Sequence, residues 1–349
     1  MATFGEALEA LEEFRAELIN VQMNAPIPLA QAMAFRARAG EAGEDPMANV
    51  HATGVGIRDD GQFVVKVYMF DAASVQSAGS VSLLSTPMQG VHVDVEHLPV
   101  QTAFDRVALR KTPAATVGNP GQHQVRRRPV PGGVEIGPLG GNFVGTLGCF
   151  VRRGSDGPLF VLSNNHVLAN VNRFPVGTPF TQPFSANGND TVATLSSFEP
   201  IQFPSPGSQP RNVIDAAIAV VTDPAQAATG KMLNIKKYVP QLLAPRPGMT
   251  VTKAGRTTGV TTGMIRAIRV RGVQVNYGTR QNPIIATFDN AITIVGNAGQ
   301  PFSNPGDSGS VILDQASGRP VALLFAGDAS TTTACDVSAA CARFNVHPV

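Results

Sequence analysis

Asn304-Pro305-Gly306-Asp307-Ser308-Gly309-Ser310, followed at once by Val311-Ile312-Leu313, is the stretch on which the fold turns. A serine stands between glycines in a tight turn, just ahead of a short apolar strand. Two segments upstream share that design. In Asn212-Val213-Ile214-Asp215-Ala216-Ala217-Ile218-Ala219-Val220-Val221, one acid sits at the mouth of an apolar strand. In Leu159-Phe160-Val161-Leu162-Ser163-Asn164-Asn165-His166-Val167-Leu168, an apolar strand ends and a histidine follows at the turn. Each segment alone has an ordinary explanation. A histidine in apolar surroundings is commonly structural, an aspartate at a strand start commonly caps a turn, and glycines around a serine commonly make one. The order His166, Asp215, Ser308 is what carries chemistry. A serine hydroxyl is a weak nucleophile that needs a base within reach. A histidine titrates near neutrality and can take and return a proton. An aspartate can fix the histidine tautomer and stabilise the imidazolium.

With these residues in place, the sequence resembles the chymotrypsin-like (trypsin-like) serine peptidases. The resemblance covers roughly residues 140 to 345. It is closer to non-secreted trypsin-like proteins of bacteria and weaker to narrow-leaf-type plant proteins. It is carried by Ser163 to Leu168, Gly255-Arg256-Thr257-Thr258-Gly259, Gly306-Asp307-Ser308-Gly309 and Leu323-Leu324-Phe325-Ala326-Gly327. Residues 50 to 100 look more faintly like the α/β extension before some such domains. The resemblance implies a mainly β protein, a chymotrypsin-like double β-barrel preceded by a small α+β domain. It implies a serine endopeptidase with a His166/Asp215/Ser308 triad, and an oxyanion hole from the amides of Gly306 and Ser308. It puts Phe302 at the base of the primary pocket, with Phe325, Ala326 and Gly327 on a wall that pairs with substrate backbone. The first residue of that group is apolar, so small or uncharged apolar side chains are expected before the scissile bond. Asp328 is a further acid close to that wall. The second reading is a catalytically idle peptidase scaffold used for binding or assembly.

The chain departs from the family in several places. No Ile-Val-Gly-Gly start precedes the barrel, so activation by a freed N-terminus buried against Asp307 is not expected. Val167 stands where secreted members often have a bridging cysteine, which leaves Cys149 without an obvious local partner. There is no tryptophan. An α/β-hydrolase nucleophile elbow would need glycine at position 310, which is Ser310, and the acid and histidine here precede the serine. Gly255 to Gly259 lacks the lysine and spacing of a phosphate-binding loop and reads as a hairpin turn. Asp190 and Asp223 read as turn acids.

Composition agrees with short strands and tight turns. The 349 residues include 35 Gly and 27 Pro, only 15% are charged and 43% are hydrophobic. That profile excludes a disordered chain, a coiled coil and a helical bundle. A net charge of +2 is too balanced for a dedicated nucleic-acid binder. No apolar run is long enough for a transmembrane helix, and the N-terminus lacks a basic, then apolar, secretory signal. A cytoplasmic protein is therefore expected, with neither membrane nor nucleic acid as partner and no cofactor. Three cysteines are too few for a disulfide scaffold, and Cys335 and Cys341 are expected as free thiols.

Upstream, Phe4, Leu8, Leu11, Phe14 and Leu18 recur at helical spacing among Glu6, Glu9, Glu12 and Glu13. This predicts an amphipathic packing helix, with self-association through it left open. Leu29 to Arg38 is expected as a second helix. Asp60-Gly61 between apolar runs predicts a hairpin, Asp71 to Leu84 is weakly helical, and Val91 to Leu98 reads as a strand. His92, Asp94 and Glu96 alternate on one face of it, which suits a solvated face better than a metal. The expected division is an α+β domain over 1–110, a Pro-rich linker over 111–142 with Arg126-Arg127-Arg128, and the peptidase domain over 143–349. From 143 onward, strands are expected over 144–151, 159–162, 214–221, 250–254, 263–270, 284–288, 311–313 and 320–326. Protein or peptide substrate is the expected partner.

Overall fold

The computed structural model of the chain describes residues 2–23, 49–78, 82–103, 120–279 and 281–349. The expected helix over Leu29 to Arg38 lies outside them. Helix α1 (Phe4–Met23) starts with a reciprocal cap. Thr3 N–H donates to Glu6 Oε2 at 2.6 Å, and Glu6 N–H donates to Thr3 Oγ1 at 3.2 Å, which satisfies amides the helix cannot pair itself. Its apolar face, Ala7, Leu11, Phe14 and Leu18, packs on Val55, Val65 and Val67. Those belong to the expected hairpin, β1 (Val50–Ile57) and β2 (Phe63–Met69), closed by Arg58 to Gln62. Short helices α2 (Ala72–Ser77) and α3 (Ser82–Ser85) lead to β3 (Val93–His97), parallel to β2, and to β4 (Gln101–Ala103). On β3, Asp94 and Glu96 serve as counter-charges. Lys66 Nζ, fully buried, donates to Asp94 Oδ2 at 2.8 Å and to Glu96 Oε1.

The first barrel is a curled sheet. In chain order this region holds β5 (Val130–Gly132), β6 (Val134–Pro138), β7 (Gly145–Leu147), β8 (Cys149–Arg152), β9 (Leu159–Ser163), then helical turn α4 (Asn165–Leu168), β10 (Pro179–Thr181), β11 (Thr191–Phe198), β12 (Arg211–Asn212) and β13 (Ala217–Val221), of which β5 and β12 stand outside the curled sheet. The pairing order is β8-β9-β13-β11-β10-β6-β7. Only Gly148 separates β7 from β8, so the sheet curls back on itself around Val134, Ile136, Leu147, Val161, Phe180 and Leu195. β12 lies elsewhere, beside β18.

After β14 (Ala227–Met232), which pairs with β5, the second barrel forms from β15 (Thr250–Gly255), β16 (Gly259–Arg271), β17 (Val273–Asn276), β18 (Ile285–Phe288), β19 (Ala291–Gly296), β20 (Val311–Asp314), β21 (Pro320–Gly327) and β22 (Thr331–Asp336). Six of these close a ring: β15 pairs with β16, β16 with β19, β19 with β22, β22 with β21, β21 with β20, and β20 with β15. Val251, Ile265, Ile294, Ile312 and Leu324 fill it. Helix α5 (Val337–Phe344) and β23 (His347–Pro348) return the chain to β8 of the first barrel. The architecture is mainly β, a chymotrypsin-like double β-barrel, as the sequence led one to expect.

Two features depart from the sequence reading of the boundaries. Residues 130–138, read as linker, are strands of the first barrel's walls. Their glycines and prolines serve close packing rather than flexibility: a Cβ on Gly133 would collide with Ala254, and one on Gly137 would lie 2.6 Å from the Phe184 ring. The arginine run is held by hydrogen bonds at both ends, although Arg126 stays exposed. Arg128 Nη1 donates to Gln182 Oε1 at 2.7 Å, and Arg126 Nε to Asp190 Oδ1 at 3.1 Å. The N-terminal unit also shares a continuous sheet with the second barrel, because β1 pairs with β16. Arg15, buried, ties α1 to that seam by donating to Thr53 O at 3.0 Å and Arg269 O at 2.8 Å. Cys149, Cys335 and Cys341 are all buried and free. Burial pushes the Cys341 thiol up to about 12.

Candidate active site

His166 comes from α4, where β9 ends and the chain turns back. The turn leaves its imidazole fully buried at the seam between the barrels. Asp215 precedes β13, the neighbour of β9, so the two side chains meet. His166 Nδ1 lies 2.6 Å from Asp215 Oδ2, and the His166 backbone N–H donates to Asp215 Oδ1 at 3.3 Å. Asn164 Nδ2 donates to the Asp215 carbonyl at 2.6 Å, which fixes the backbone carrying the acid. One partner was not visible in the sequence reading. Tyr277, just beyond β17 of the second barrel, donates its hydroxyl to Asp215 Oδ2 at 2.8 Å. Its ring meets the imidazole edge-on with centroids 5.9 Å apart. Asp215 therefore bridges the two barrels.

Ser308 approaches from the second barrel, on the loop before β20. Gly306 and Gly309 have φ of +101° and +92°, a region L side chains avoid, so the turn requires glycine at both. A Cβ on Gly309 would overlap Ser163 Oγ. The loop is tied to the first barrel through Thr146. Thr146 N–H donates to Ser308 O at 2.8 Å and its hydroxyl to Gly306 O at 2.9 Å. Gly145, beside it, faces Val167 and the Ser308 carbonyl together. The geometry thus brings Ser308 to the wall that carries His166. Ser308 Oγ and His166 Nε2 are both buried and make no hydrogen bond to a described residue. The amides of Gly306 and Ser308 likewise have no protein acceptor among the described residues.

Asp307 holds the loop from beneath. Its Oδ1 accepts from Thr257 N–H at 2.8 Å and Thr258 N–H at 3.1 Å, and its Oδ2 from Thr258 Oγ1 at 2.7 Å and Asn304 N–H at 3.0 Å. Lys253 Nζ completes the set at 3.3 Å, with both side chains fully buried. Burial pushes the Lys253 ammonium down from its ordinary value, and the Asp307 carboxylate opposes that. The turn Gly255 to Gly259 is indeed a hairpin between β15 and β16, and its amides serve as the cradle of Asp307. A second buried ion pair, Arg256 Nε to Glu135 Oε2 at 2.6 Å, joins that hairpin to β6.

The residues expected to line the pocket behave differently from one another. Phe302 is 1% exposed and packs into the second barrel's core, against Gly263 and among Val251, Ile294 and Ile312. Its carbonyl accepts from Thr261 Oγ1 at 2.7 Å, and Lys253 Nζ lies 5.9 Å from its ring centroid. Phe325 is also interior, with its ring 4.7 Å from Phe288. Ala326 and Gly327 do lie on a pairing edge of β21, and their partner there is β4. Asp328 accepts from Gln101 Nε2 at 2.7 Å. Asp190 and Asp223 sit at turns, the latter capping Ala225 N–H. Among the described residues, no three His, Cys, Asp or Glu side chains gather as a metal set, and no helix is long and apolar enough to cross a membrane.

The family model described as the Nal1 C-terminal domain matches residues 225–337, which run from β14 to the start of α5 and include the Ser308 loop. No curated protein matches the chain. Among solved structures, it is similar to a glutamic-acid-specific serine protease that uses a histidine triad in substrate binding. Identity is 20%, covering 63% of this chain and 100% of that one, with a TM-score of 0.43. It is similar to protease A of Thermobifida fusca at 17% identity, over 63% of this chain and 98% of that one, TM-score 0.43. It is similar to Cellulomonas bogoriensis chymotrypsin at 19% identity, with the same shares and TM-score. The fold rests on the strand pairing above and not on these likenesses.

Proposed function

We propose that the chain is a serine endopeptidase in which Ser308 is the nucleophile. The observation that carries this reading is the buried Asp215–His166 pair, 2.6 Å between Oδ2 and Nδ1, set against the serine loop of the opposite barrel. A carboxylate on Nδ1 keeps that nitrogen protonated and leaves Nε2 as the base. His166 Nε2 takes the Ser308 hydroxyl proton as Oγ bonds to the peptide carbonyl carbon. The carbonyl oxygen becomes an oxyanion facing the amides of Gly306 and Ser308, donors worth about 3–4 kcal/mol each in such a site. The C–N bond breaks as His166 passes its proton to the leaving amine, and Ser308 is left as an ester. Water then loses a proton to His166 and attacks the ester, and Ser308 regains its hydrogen as the acid departs.

Uncharged side chains before the scissile bond fit best, since Ser303, Ala326 and Thr332 near the Ser308 loop and on β21 and β22 carry no charge, and Asp328 is already paired with Gln101. The idle-scaffold reading has one observation in its favour, the buried Ser308 Oγ and His166 Nε2 that do not bond to each other. Cleavage-site profiling on a peptide library decides between them. The peptidase yields products clustered after uncharged residues and lost in Ser308→Ala. Identical profiles for the two proteins would reject it.

A further inference from the structure

We infer that strand β4, Gln101–Ala103, fills the slot in which this protein holds an extended peptide, so that its own N-terminal segment competes with outside peptides for the Ser308 site. What the slot is for rests on the peptidase reading above; what fills it rests on strand pairing. β4 lies between β17 and β21. Gln101 and Thr102 pair with Val275 and Asn276 in parallel, and Thr102 and Ala103 pair with Gly327 and Ala326 in antiparallel. Both neighbours lead to the triad. β17 runs directly into Tyr277, whose hydroxyl is on Asp215. Two residues before Ala326 on β21, Leu324 O accepts from Gly309 N–H, next to Ser308. Because β4 runs parallel to β17, its chain direction is toward Tyr277 and the triad.

The slot has the form of a strand-addition site. β20 pairs with β21 only as far as Leu323, so the edge at Ala326 and Gly327 is covered by β4 instead. Strand addition gives affinity through main-chain bonds and selectivity through alternate side chains. The side chains of β4 alternate in that way. Gln101 is fully buried, donating to Asp328 Oδ2 at 2.7 Å and accepting from Thr333 Oγ1 at 3.2 Å. Thr102 is exposed, and Ala103 is 1% exposed, in the apolar cluster of Phe288 and Phe325. The occupant is only three residues long and comes from a part of the chain more than 200 residues before its β21 partners. Meanwhile Ser308 Oγ and His166 Nε2 are buried, so a peptide reaches them only after something moves. The peptide class that fits is extended, with a carboxamide side chain between Asp328 and Thr333 and a small apolar residue two positions further toward the triad.

The test uses the full chain carrying Thr102→Pro, which removes the central amide N–H of β4 and changes an exposed side chain. Gln101→Ala is the second variant, should the proline chain fail to fold. Two readouts are taken. The first is the rate of fluorophosphonate labelling at Ser308. The second, on a Ser308→Ala background, is anisotropy of a fluorescein-labelled peptide with the chain's own sequence Leu98-Pro99-Val100-Gln101-Thr102-Ala103. A slot filled nine-tenths of the time or more lowers apparent affinity about tenfold or more. Both variants should therefore label and bind at least about tenfold better than the parent. Tighter peptide binding with no labelling in any chain would overturn the peptidase reading and leave this inference standing. Unchanged labelling rates and unchanged peptide affinity in both variants would overturn the inference.

Discussion

Asp215 does more than its place at the mouth of a strand suggests. One of its oxygens takes both His166 Nδ1 and the Tyr277 hydroxyl, in full burial. A hydrogen bond to a charged group is worth about 1.5–3 kcal/mol. Tyr277→Phe removes that donor while keeping the ring. The expected outcome is a fall in kcat of about tenfold, equivalent to about 1.4 kcal/mol of barrier, with KM unchanged and the pH profile displaced. A purely structural tyrosine would instead lower the melting temperature and leave the pH profile alone. At this scale, His166, Asp215 and Ser308 were legible because each adjoins an apolar strand and they come in a telling order. Tyr277 was not. A single aromatic 62 residues from its partner, after a four-residue strand, gives no local signal. Phe302, placed at a pocket base by resemblance alone, packs among Val251, Ile294 and Ile312, and its loop carries no alternation from which that packing could be read.

At the scale of elements, the serine loop is held by the β15–β16 hairpin through Asp307 and Lys253. Removing one partner of a buried pair leaves an uncompensated charge and costs about 3–5 kcal/mol. Lys253→Met should cost that much in urea unfolding, and Lys253→Met with Asp307→Asn should recover a large part of it. A double variant as unstable as the sum of the two singles would show that the pair does not couple. The hydrophobic strands around 159–162, 250–254, 311–313 and 320–326 could be read from sequence. β11, Thr191-Val192-Ala193-Thr194-Leu195-Ser196-Ser197-Phe198, and β22, rich in threonine, could not, because their polar residues blur the alternation. α5 is short and rich in alanine; its signals are the Asp336 cap on Ser338 N–H at 2.8 Å and Asn345 at φ +52°. The strands within 130–138 were hidden by the very glycines and prolines that let them pack closely.

For the whole molecule, a chain rich in glycine and proline and poor in charge resolves into two barrels with the candidate triad at their seam. The N-terminal unit is stitched into the second barrel by two strands, β1 on β16 and β4 between β17 and β21. All of these pairings join residues far apart in the chain, and local pattern carries no information about such partners. The proposed peptidase asks one thing of this fold, delivery of a base, His166, from one barrel to a serine, Ser308, on the other. The most direct test of that claim is intact mass after fluorophosphonate treatment of the full chain, of its Thr102→Pro variant and of Ser308→Ala. One covalent adduct per molecule is expected, mapped to Ser308, fastest in Thr102→Pro and absent from Ser308→Ala. No adduct in either chain that retains Ser308, with both folded, would contradict it.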